Sequence, residues 1–94
     1  MSDDNKQLMG EISLGIEAEA FLASDVGKRL VSRSEAERDE AVNELKIADP
    51  GNAKLIRDLQ NRIWLAESVQ MWIAEIISSG WNAERVLQMM NSPD

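Results

Sequence analysis

Neither cysteine nor histidine occurs in this chain. Without cysteine there is no disulfide framework, no thiol chemistry and no thiolate metal site. Without histidine the commonest general base and the commonest metal ligand are both missing. Tyrosine is absent too, phenylalanine occurs once and proline twice. With few β-branched runs beside them, a β-rich fold is disfavoured. No apolar run approaches the ~20 residues of a membrane span, and the opening MSDDNKQLMG lacks the basic region of a secretory signal. The expectation is a soluble, intracellular chain without membrane contact.

Positive charge is also scarce. Ten Lys and Arg stand against seventeen Asp and Glu, a net charge of -7. Phosphates are repelled by that sign, so direct nucleic-acid binding is not expected. The length of 94 residues sets one domain, 1–94. A chain of this size buries only about 60–65% of its unfolded surface.

The punctuation is helical. Ser24 is a good N-cap, and Asp25 suits the positive end of a helix dipole. ADPGN, residues 48–52, is a turn, with Asn52 placed to cap the next helix. In SSGW, Gly80 reads as a helix end and Asn82 as the cap of a final helix. Four helical segments are expected, over 8–23, 25–47, 53–78 and 83–90. The middle two, about 35 and 39 Å long, would form an antiparallel hairpin over 25–78, with shorter N- and C-terminal helices beside it. The fold class is all-α.

The second segment is polar along its middle, SRSEAERDE, and is expected to bury its ends and leave that middle in water. Arg33 with Glu37 and Glu35 with Arg38 attract, whereas Glu40 and Glu44 repel. The third segment is the reverse. On a helical wheel its apolar residues fill an arc of about 200°, roughly twice what one neighbouring helix covers. Only Asp58, Arg62 and Gln70 interrupt it. Two stripes separate within the arc: Leu59, Ile63, Ala66, Ile73 and Ile77, then Leu65, Val69, Trp72 and Ile76. One could take the second segment and the other the first, as a monomeric core. Alternatively, both stripes serve an oligomer interface, a helical bundle formed by dimerisation. Trp64 and Met71 stand one heptad apart on the polar side; with Trp81 they are candidate partner contacts, since Trp is enriched in hot spots and Met adapts to irregular surfaces.

Catalytic constellations are lacking. Glu17 and Glu19 point to different sides of a helix; Glu37, Glu40 and Glu44 share a face but lack the Glu-x-x-His pattern of di-iron bundles. Lys28, Arg29, Arg33 and Arg38 are interleaved with acids, which suits ion pairing better than nucleic acid. The serines have no His partner and no Gly-x-Ser-x-Gly elbow. Gly10 and Gly15 are expected to loosen or bend the first helix. No catalytic residue, metal site or cofactor is expected. The chain reads as a non-enzyme.

LGIEAEAFLASDVGKRLVSRSEAERDEAVNEL, with DPGNAKLIRDLQNRIWLAESVQMWIAEIISSGW after it, resembles a group of small proteins encoded by tailed phages and prophages. The resemblance spans about Leu14 to Trp81, and GIEAEAFLAS and LQNRIWLAES carry it most specifically. It implies particle assembly or the handling of host proteins, in the bacterial cytoplasm or in the phage particle, and assigns no residue a role. The expected function is non-catalytic contact with its own copies, and with phage structural or host proteins. The alternative is an acidic inhibitor of a host defence or nucleic-acid-processing protein, whose binding would weaken steeply with salt.

Overall fold

The computed structural model describes residues 3–92. Within them the chain is all-α, with no strand: α1 is Asp3–Ala23, α2 is Asp25–Ile47 and α3 is Ala53–Asn91. Two helix boundaries differ from the sequence-based expectation. α1 begins at Asp3 rather than Leu8, with Asp3 and Asp4 in its first turn, where carboxylates favour the helix dipole. The larger difference is at Gly80.

Gly80 does not end a helix, and the expected break before residue 83 is absent: α3 runs unbroken for 39 residues. A mid-helix glycine costs about 1 kcal/mol relative to alanine, yet here the missing side chain has a packing use. A Cβ on Gly80 would lie 3.0 Å from the Glu11 carbonyl oxygen and 3.1 Å from the Gly15 Cα. The two glycines are the point where α1 and α3 touch backbone to backbone. Gly15 thus has a packing use within a continuous α1, and one turn beyond Gly80, Ala83 is buried. Asn82 caps nothing and sits on the exposed side of α3.

Ser24 alone joins α1 to α2. Its backbone N–H donates to the Phe21 carbonyl at 3.0 Å, closing α1. Its hydroxyl oxygen accepts from the Gly27 N–H at 3.0 Å, opening α2 as the N-cap. The turn is so tight that a Cβ on Gly27 would overlap the Phe21 carbonyl group. At the other end of α2, the Asp49 carboxylate accepts from the Gly51 N–H at 3.0 Å, and the Asn52 side chain accepts from the Leu55 N–H at 3.2 Å.

Contacts fix how the helices lie. Ser34 meets Ala66 and Gln70, while Glu37 and Glu44, further along α2, meet Arg62. α2 thus runs against the N-terminal half of α3 in the opposite direction. α1 crosses α3 at Gly80, in its C-terminal half. α1 and α2 lie in series along α3, and each touches it far more than they touch each other.

The product is a rod. Its extents are 63 × 28 × 21 Å and its radius of gyration is 19.1 Å, against about 12 Å for a compact chain of this length. The buried apolar core is thin: Ala41, Leu59, Ala66, Ile77 and Ala83, of which only Leu59 is large and fully enclosed.

The middle of α2 is largely exposed, as expected, but Ser34, Glu37 and Arg38 are half-buried and one side of it meets α3. Ser34 Oγ donates to the Ala66 carbonyl at 2.6 Å, and Gln70 Nε2 donates to Ser34 Oγ at 3.3 Å. Arg62 reaches Glu37 at 3.0 Å, Glu44 at 3.2 Å and Glu40 at 4.0 Å. Arg62 and Gln70, which interrupt the apolar arc of α3, are the residues that meet the polar stretch of α2. Contrary to expectation, the ends of α2 are not both buried: Val26 is 70% exposed, because α1 continues in line with α2 rather than folding over it.

Candidate functional site

The arrangement of α1 and α2 in series decides what α3 leaves open. The first stripe is largely used within the chain. Leu59, Ala66 and Ile77 are buried, and Ile63 and Ile73 are half-buried. Of the second stripe, only Val69 is half-buried; Leu65, Trp72 and Ile76 are exposed. No helix lies across them.

Trp64 and Trp72 are two turns apart on α3, and their rings meet edge to face at 6.5 Å between centroids and 85° between planes. Between them in sequence is Ser68, 1% exposed. Its hydroxyl donates to the Trp64 carbonyl at 2.6 Å, the usual way a helical serine satisfies itself without water. A small residue here leaves room for two indoles to share one patch. Even so paired, Trp64 remains 63% exposed and Trp72 49%, with Leu65 at 57% and Met71 at 50% beside them. Toward α1 the patch continues into a shallow groove lined by Glu11, Leu14, Trp72, Glu75, Ile76 and Ser79.

Trp81 lies elsewhere. On the wheel of α3 it is about 180° from Trp72, and its Nε1–H donates to the Glu19 carboxylate at 2.8 Å. It stands on the rim of an open groove of about 610 Å³ at the α1–α2 joint, with Leu22, Val31, Ala74 and Ile77 as its apolar walls. The expected contacts Trp64 and Met71 therefore share one surface, and Trp81 belongs to another. Met89 and Met90, at the end of α3, are exposed as well.

Comparison with protein-family models, curated proteins and solved structures finds no match for the chain.

Electrostatics concentrates on the other side of the rod. The carboxyl of Glu37 is held below its ordinary value of 4.5, first by the hydrogen bond from Arg62 and further by Arg33, with partial desolvation opposing. Glu40 and Glu44, one turn apart on α2, lean on the same guanidinium, so their mutual repulsion is offset by a cation from the neighbouring helix. Arg33 pairs with Glu37 at 3.2 Å. Arg38 pairs with Asp39 at 3.2 Å rather than with Glu35. Among the described residues no group of three or more acidic side chains is arranged to hold a metal ion, and no helix is long and apolar enough to cross a membrane.

The Trp64–Trp72 pair is the feature that sequence reasoning missed. A wheel places Trp64 among polar residues and Trp72 in an apolar stripe. The spacing of eight residues with a small one between them was the available signal.

Proposed function

We propose that this chain is a non-catalytic protein that acts by contact with other protein chains, as a helical hairpin that dimerises into a bundle. The observation that carries this reading is the apolar face of Trp64, Leu65, Met71 and Trp72 on a rod with too much surface. The accessible area is 7128 Å², whereas a compact monomer of this mass exposes about 5,400 Å². Exposed contiguous apolar patches of several hundred Å² mark interaction sites on soluble proteins. The resemblance of Leu14–Trp81 to small tailed-phage proteins supports particle assembly or host-protein handling as the setting.

The test is replacement of Trp64 and Met71 by alanine, read by solution mass and by partner capture. Both lie on the open side of α3, so the rod should still fold. Unchanged oligomer size together with unchanged capture would remove the basis of the reading.

A second reading is an acidic inhibitor that occupies a basic site on another protein. It is favoured by α1, which carries Asp3, Asp4, Glu11, Glu17 and Glu19 against Lys6 alone. Binding through α1 should weaken steeply as salt rises, whereas binding through the apolar face should be far less sensitive.

A further inference from the structure

We infer that the occupant of the Trp64–Trp72 face is a second copy of this chain, docked antiparallel about a two-fold axis through Ser68. This rests on the contact reading above and gives the dimer its axis and register.

The face has the symmetry such pairing needs. Trp64 and Trp72 stand four residues either side of Ser68, and Leu65 and Met71 three residues either side. On the wheel the same pairs straddle Ser68 by about 40° and 60°. A two-fold axis at Ser68 therefore lays Trp64 of each copy against Trp72 of the other, and Leu65 against Met71. That is the reciprocal pattern of an isologous interface. The four indoles form one cluster at its centre, where hot-spot residues concentrate.

Charge agrees with this register. A chain of net charge -7 resists meeting itself, yet α3 is balanced: Lys54, Arg57, Arg62 and Arg85 match Asp58, Glu67, Glu75 and Glu84. Around Ser68, position 57 pairs with position 79. Arg57 of each copy is thereby delivered to the groove where Glu11 and Glu75 flank Ser79. Among the described residues of one chain, Arg57, Glu11 and Glu75 form no ion pair.

The area suffices. With about 250 Å² for a free Trp side chain and less for the aliphatic ones, the exposed parts of Leu14, Trp64, Leu65, Met71, Trp72 and Ile76 total on the order of 600 Å² per copy. Two such faces exceed the ~1,000 Å² that separates a specific interface from an incidental contact.

The experiment is sedimentation equilibrium on the full chain and on five variants, Trp64→Ala among them and also assayed for capture of other proteins, with circular dichroism to confirm that each is helical. The wild type should show a species of twice 10.5 kDa. Arg57→Glu and Glu75→Arg should each weaken dimerisation roughly tenfold, and the double variant should recover most of the loss. Trp72→Ala should weaken it by roughly thirtyfold or more. If the wild type dimerises but the double variant recovers nothing and Trp72→Ala has no effect, this docking is overturned and the contact reading stands on another face. If the wild type is a monomer at every concentration while the Trp64→Ala variant loses capture of a different protein, the second copy is overturned as occupant and the face keeps its role. If neither self-association nor any loss of capture is seen, both readings fail together.

Discussion

The closest approach in the rod can be probed with glycines alone. Gly10 and Gly80 are both interior helical positions, so alanine at either should gain about 1 kcal/mol from helix propensity. They differ in what surrounds them. A Cβ on Gly10 meets nothing within 4 Å, whereas one on Gly80 meets the Glu11 carbonyl oxygen at 3.0 Å, the Gly15 Cα at 3.1 Å and the Gly15 nitrogen at 3.6 Å. All three atoms are backbone, so no side chain can swing aside, and α1 must shift bodily. Overpacking of this kind costs about 1–3 kcal/mol. Gly10→Ala should therefore raise the melting midpoint by about 4–8 °C. Gly80→Ala should be neutral or destabilising by up to about 2 kcal/mol. The assay is thermal unfolding monitored by circular dichroism in the far ultraviolet, with both variants at one chain concentration, because association shifts the midpoint by mass action. Equal rises for the two variants would refute the crossing of α1 over α3 at Gly80.

Leu59→Ala removes the only large, fully enclosed apolar side chain among the described residues. It should cost about 2–5 kcal/mol, a large share of the stability of so thin a core, as read by urea unfolding. Ser24→Ala removes the cap of α2 and should cost about 1 kcal/mol by the same assay. Gly27→Ala should cost more than Ser24→Ala, since the joint must reopen to admit a methyl group. Glu37 has a folded pKa lowered from 4.5, so its contribution is present above about pH 4.5 and is lost as pH falls below it. Glu37→Gln should flatten the midpoint-versus-pH curve in that acid range and leave the rest of its shape unchanged. A curve that keeps its acid limb in the variant would remove Glu37 from the account.

Local signals are legible where local chemistry decides. Ser24 and Asn52 cap the helices they precede, and the Asp49–Gly51 turn forms as its residues suggest. Gly80 misleads because a glycine that ends a helix and one that admits a neighbour look alike in sequence; only the position of Gly15 on α1 separates them. The polar middle of α2 suggests a wet surface, while Arg62 and Gln70 look like flaws in an apolar arc. Each explains the other once the two helices are set side by side, since a charged stretch needs a charged or hydrogen-bonding partner across the interface. The width of the apolar arc on α3 is plain from a wheel. What a wheel does not encode is that α1 continues beyond α2 rather than lying beside it. For that reason half of the arc has no cover within one chain.

Whether the open face of α3 meets a second copy of this chain is decided most directly by solution mass, from light scattering across a wide concentration range at low and at high salt. The mass should approach twice 10.5 kDa as concentration rises, with only a modest loss at high salt, because the centre of the contact is apolar and only its flanking ion pairs are screened. A mass that stays at 10.5 kDa throughout, or a dimer that dissolves as salt is added, would contradict that role and turn attention to the acidic surface of α1.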